Sequence, residues 1–97
     1  MEYKVENQVL TLYFVGELNS SNSEDVESEI DKIIKQNSFK SIVLDLEKLN
    51  YISSAGLRIV VRLKQQYDDT KIINAQSGVY DIFAMVGFNN IISIKKI

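Results

Sequence analysis

The stretch SIVLDL, Ser41 to Leu46, is a nearly continuous apolar run with β-branched residues. Such a run reads as a strand buried on both faces, central in its sheet and parallel to a neighbour. Parallel strands need crossover connections of a dozen or more residues, usually helical, so helical patterns are required on either side of it. Both are present. Upstream, in ELNSSNSEDVESEIDKIIKQN, Val26, Ile30, Ile33 and Ile34 recur at helical spacing. Asn22 or Ser23 suits the N-cap, acidic Glu24, Asp25 and Glu27 lie in the first turns, and Lys32 and Lys35 lie near the C-terminal end. Downstream, apolar residues fall at 57, 60, 61, 63 and 67, opposite Arg58, Arg62, Gln65 and Gln66, which predicts a second helix.

The remaining segments fit the same alternation. VLTLYFV, Val9 to Val15, places Leu10, Leu12 and Phe14 on one face of a strand, and EYKVE is a partner strand joined through a tight turn at Asn7 and Gln8. KIINA is a further buried strand. Val79, Ile82, Phe83 and Val86 repeat at i, i+3, i+4, i+7, and Gly87 fits the left-handed position that ends a third helix. IISIKKI closes the chain as a strand near an edge. The order ββαβαβαβ, with right-handed crossovers, predicts an α/β fold in which helices pack against a mixed sheet. A chain of 97 residues with 45% apolar content suffices for one such domain, residues 1–97, with a shallow surface rather than a deep catalytic pocket.

Composition narrows function. There is no cysteine and no histidine, which removes disulfides, thiolate ligands, cysteine nucleophiles, and the commonest base and metal ligand. The net charge is −2 and the eleven Lys and Arg are scattered, which argues against nucleic acid as a partner. MEYKVENQ has no basic segment leading into an apolar one, and the apolar runs are too short to span a bilayer, so a cytoplasmic location without membrane insertion is expected. No cofactor or metal is expected. Glu24, Asp25, Glu27, Glu29 and Asp31 read as the solvated face of the first helix.

The chemistry that remains centres on YISSAGLRIV, Tyr51 to Val60, where two adjacent hydroxyls stand between a buried strand and a helix. One of Ser53 and Ser54 suits the N-cap, leaving the other free. Gly56 in the first helical turn costs about 1 kcal/mol against alanine, so something must approach closely there. A nucleophile elbow needs glycine where Ile52 stands and a base to serve the serine; Lys48 is the nearest basic candidate, and the enzyme reading is remote. A phosphate-binding loop needs further glycines and a Gly-Lys-Ser or Gly-Lys-Thr ending, which SSAGLR lacks. Modification of a hydroxyl by another protein is the reading left standing.

Three stretches, VGELNSSNSEDV, IVLDLEKLNYISSAGLRIVVRLKQ and VYDIFAMVGFNNII, together resemble the STAS domains of bacterial anti-anti-sigma factors, also called anti-sigma factor antagonists. The resemblance covers almost the whole chain. It implies a non-enzymatic protein that, unphosphorylated, binds an anti-sigma factor that is also a serine kinase; phosphorylation ends the binding and a serine phosphatase restores it. The phosphoacceptor position of the family matches Ser54, with Ser53 as the rival acceptor. The partner surface expected on this reading is the start of the second helix with the loop after the second strand: Asn19, Ser20, Ser53, Ser54, Ala55, Gly56 and Arg58, with Arg58 equally readable as a solvated helix residue and Asn19 and Ser20 as turn residues. Two positions depart from the common pattern: Ser53 stands where the family often has Asp, and Asn19 where Gly-Glu-Leu is often followed by Asp. The alternative on the same fold is a STAS scaffold subunit of a signalling or lipid-transport assembly without phosphorylation control.

Overall fold

In a computed structural model describing residues 1–97, the elements follow the order ββαβαβαβ that the sequence predicts. They are β1 (Glu2–Glu6), β2 (Val9–Leu18), α1 (Ser23–Gln36), β3 (Ser41–Ile52), α2 (Ser54–Gln66), β4 (Thr70–Ala75), α3 (Ser77–Met85) and β5 (Ser93–Lys96), with a 3₁₀ turn at Phe88–Asn90 before β5. The sheet runs β1-β2-β3-β4-β5, antiparallel at β1–β2 and parallel throughout the rest. The turn between β1 and β2 places Asn7 and Gln8 at φ 51° and 67°, the two left-handed residues of a tight hairpin turn whose twist matches the strands.

Each crossover from β2 onward steps to the next strand in the same direction. Right-handed connections then carry all three helices to one face of the sheet. That face holds the core: Leu10, Leu12 and Phe14 of β2, Ile42, Leu44 and Leu46 of β3 and Ile72 of β4 pack with Ile30, Ile33, Ile59, Leu63, Val79 and Phe83 of the helices. The other face has no helix on it. Val9, Val43, Asp45 and Ile73 there are half-buried, and Lys71 is exposed. SIVLDL is therefore central and parallel, as expected, but buried on one face only. Its inward residues alternate with Val43 and Asp45, and the apolar Val43 conceals that alternation in the sequence.

Two helical faces differ from the periodicity reading. Helix α2 begins at Ser54, and its buried line is Gly56, Ile59, Val60 and Leu63, whereas Leu57 and Val61 lie at the margins. In α3 the buried residues are Val79 and Phe83, Ile82 is half-buried and Val86 is exposed. Gly87 takes φ 78°, the left-handed conformation expected of it.

Candidate functional site

The carboxyl ends of β2 and β3 lie side by side, with Leu18 paired to Ile52. In open α/β sheets this is the end at which loops converge on binding sites. Beyond Leu18 the chain turns into α1, and beyond Ile52 it turns into α2.

The second turn divides the two serines. Ser53 retains extended backbone, φ −93° and ψ 176°, and its N–H donates to the Leu18 carbonyl at 2.8 Å, continuing the sheet by one bond. Its carbonyl accepts the first helical bond from Leu57 N–H at 2.9 Å, and its Oγ accepts from Gly56 N–H at 3.4 Å. Ser53 is thus the N-cap of α2. Ser54 is the first helical residue, is exposed, and its hydroxyl makes no hydrogen bond within the protein.

Gly56 is buried, and its packing accounts for the missing side chain. A Cβ there would stand 2.7 Å from Ile52 Cγ1 and 2.8 Å from Leu18 Cγ. The close approach required by the sequence is to the domain's own strands. This corrects Gly56 as a partner-contacting residue: it shapes the surface from below by letting α2 settle onto β2 and β3.

Asn19 and Asn22 lock the other turn. Asn19 Oδ1 accepts from the Ser21 and Asn22 amides at 2.9 and 3.2 Å, and Asn22 Oδ1 accepts from Asn19 N–H at 2.9 Å. Asn22 Nδ2 donates to the Glu17 carbonyl at 2.8 Å. An aspartate at position 19 could accept the same two amides, so asparagine preserves the loop while carrying one charge fewer. Asn22 is the N-cap residue of α1 by position, but its side chain serves this loop rather than the helix amides.

A shallow groove of about 390 Å³ runs between the beginnings of α1 and α2, lined by Ser20, Ser23, Glu24, Glu27, Ala55, Arg58, Ile59 and Arg62. Three residues expected at a partner surface, Ser20, Ala55 and Arg58, meet here; Ser53 and Ser54 lie at the adjoining turn. The chain has two arginines, and the groove holds both in different states. Arg62 donates from Nε to Glu27 at 2.6 Å and from Nη2 to Asp31 at 2.9 Å. Burial works against this cation, yet the hydrogen bonds and charges of Asp31 and Glu27 outweigh it and raise the Arg62 pKa above the ordinary arginine value. Arg58 is exposed and makes neither an ion pair nor a hydrogen bond.

These contacts correct the reading of the acidic helix face as simply solvated, since Glu27 and Asp31 tie α1 to α2. Sequence reasoning missed Glu27 and Arg62 because the partners lie 35 residues apart and each fits an ordinary exposed helical position. Lys48, the remote candidate base, lies instead beside Glu2, Tyr13, Asp45 and Glu47 in a separate hollow.

The sequence profile described as STAS domain matches residues 1–97, and the chain belongs to that family. It is similar to the anti-sigma factor antagonist BtrV of Bordetella bronchiseptica, with 34% identity over 85 residues, covering 84% of this chain and 72% of that protein. Its fold matches that of an anti-sigma factor antagonist from Thermotoga maritima, with TM-score 0.87 and 19% identity over 99% of this chain and 86% of the other. It also matches SpoIIAA, a Bacillus cell-fate determinant and anti-sigma factor antagonist. The unphosphorylated form gives TM-score 0.74 and 19% identity over 96% and 87% of the two chains; the phosphorylated form gives 0.66 and 18% over 96% and 90%. Antagonists of this family are binding proteins rather than enzymes. No helix of the chain is long and apolar enough to cross a membrane.

Proposed function

We propose that this protein is an anti-sigma factor antagonist that works in the cytoplasm by binding an anti-sigma factor with serine kinase activity. Phosphorylation of Ser54 switches it off, and a serine phosphatase returns it to the binding form. The observation that carries this reading is the division of labour at the start of α2. Ser53 is engaged as the cap, whereas Ser54 presents an exposed, unbonded hydroxyl. The likeness to BtrV supplies the class of partner, and the likeness to SpoIIAA, which has a phosphorylated form, supports a phosphate switch.

The partner surface runs from Ser20 and the Asn19 turn across Ser53, Ser54 and Ala55 to Arg58. Gly56 supports it from beneath. In the switching reaction, Ser54 Oγ bonds to the γ-phosphorus of ATP as the bond from that phosphorus to the departing ADP oxygen breaks. The hydroxyl proton passes to a base of the kinase.

Incubation with ATP and kinases encoded beside this protein, followed by intact-mass analysis and phosphopeptide mapping, tests the reading. One phosphate on Ser54 is expected, with none on Ser54→Ala, which should remain folded and keep its partner. Phosphate on Ser53 alone would reverse the assignment. Phosphate on neither serine, with every candidate kinase active on a control substrate, would overturn the switch and leave the scaffold role.

A further inference from the structure

Ser54 and Arg58 stand four residues apart on α2, and both are exposed. Residues at this spacing lie one turn apart on the same face, with Cβ atoms about 5–6 Å from each other. Arg62 is already held by Glu27, Asp31 and Gln66. Arg58 is therefore the uncommitted guanidinium at this rim. Within the groove the carboxylates near it are Glu24, which has no ion pair, and Glu27, which is bonded to Arg62.

We propose that Arg58 is the intramolecular ligand of the phosphate on Ser54, so that modification both adds negative charge to the rim and withdraws its free guanidinium. This rests on Ser54 being the phosphoacceptor. Before modification, the Arg58 fork is available to a carboxylate or carbonyl of the partner. Afterwards, a near-dianionic phosphate with three acceptor oxygens stands within one helical turn. A guanidinium binds phosphate through parallel N–H···O bonds, and the dianion competes for it more strongly than the single charge of Glu24. One chemical event thus changes two groups that a partner would read. The pair also specifies the residue type: lysine would supply a point charge, without the planar two-bond grip.

The pair can be tested without a kinase by installing phosphoserine at position 54 of the full chain through genetic encoding and titrating its ³¹P resonance. The second phosphate pKa should be lower in the protein with Arg58 than in Arg58→Gln by about 0.2–0.4 unit, with Arg58→Lys between them. The helix terminus, Glu24, Glu27 and Arg62 are present in all three proteins and cancel in the comparison. The Arg58 Nε–Hε resonance should move on phosphorylation and follow the same titration. Superimposable ³¹P curves for the wild type and Arg58→Gln, each shown to be folded by its amide spectrum, would overturn the proposal. Absence of phosphate from Ser54 in cells would refute the switch in the preceding section while leaving these curves unaltered, so the two ideas fail separately.

Discussion

Replacing Gly56 with alanine tests how α2 is seated, because two opposing effects of known size meet at one atom. In a helix interior, alanine is favoured over glycine by about 1 kcal/mol. Against this, the new Cβ would stand 2.7 Å from Ile52 Cγ1, with Leu18 Cγ at 2.8 Å and Leu18 Cδ2 at 3.0 Å. Ile52 and Leu18 are 2% and 1% exposed, and two of these three atoms lie partway along the side chain, so neither residue can relieve the contact by moving its tip. Overpacking of this kind costs about 1–3 kcal/mol, and contacts below 3.0 Å with two buried residues belong in the upper half of that range. The expected net loss is about 1–2 kcal/mol, or about 4–16 °C in Tm for a domain of this size. Urea unfolding followed by circular dichroism measures it. Gly78, also helical, is the control: it is exposed in the first turn of α3, and a Cβ added there would meet nothing within 4 Å, so Gly78→Ala should leave stability unchanged or raise it by up to about 1 kcal/mol. A Gly56→Ala protein as stable as the wild type would refute the seating of α2 on Leu18 and Ile52.

Three further substitutions probe other supports of the site. Leu44 is fully buried in the central strand, and Leu44→Ala should cost about 2–5 kcal/mol in urea unfolding; a loss below about 0.5 kcal/mol would contradict its central place. Glu27→Gln leaves Arg62 with Asp31 but weakens the link between helices, and because the pair is partly exposed the loss should be about 0.5–1 kcal/mol and shrink in high salt. An unchanged unfolding midpoint at low salt would show that the link contributes nothing. Ser53→Ala should cost about 0.5–1 kcal/mol, the lower part of the range for caps, because the Oγ to Gly56 N distance is a long 3.4 Å; a loss above about 2 kcal/mol would show that Ser53 has a larger role than capping.

The alternation of strand and helix was legible because each element carries its own local period. The central position of β3 followed from the apolar run at 41–46, and the hairpin from two turn-forming residues between strand patterns. What was not legible depended on direction in three dimensions. Val43 is as apolar as its neighbours, so nothing local shows that it points to a helix-free face. In α2, the stripe counted from Leu57 omitted Ile59, because Gly56 contributes to the buried line without having a side chain to announce it. The turn chemistry brought both serines to the helix start but left open which of them caps it; Ser53 as cap and Ser54 as first helical residue follow from the backbone geometry. Pairing Arg62 with Glu27 and Asp31, and hence the contrast with an uncommitted Arg58, required the two helices to be placed side by side.

The adjacent hydroxyls have different fates because the backbone changes conformation between them. At Ser53 the chain is still extended and anchored to Leu18, so its side chain folds over the Gly56 amide; at Ser54 helical geometry has begun and the hydroxyl faces outward. A phosphate on Ser54 would break none of the bonds that fix the turn, and it would sit where helix amides and the macrodipole favour an anion. On the proposed reading the folded state would tolerate the modification, and its effect would be felt by the partner. Desolvating about −1.5 to −2 charges against a partner surface complementary to a neutral hydroxyl would cost roughly 2–4 kcal/mol, which is on the order of 30-fold to 1,000-fold in affinity. Under the proposed switch a rigid domain would act through its surface charge alone, and the seating of Gly56 and the capping by Ser53 would matter because they hold Ser54 in place with or without the phosphate.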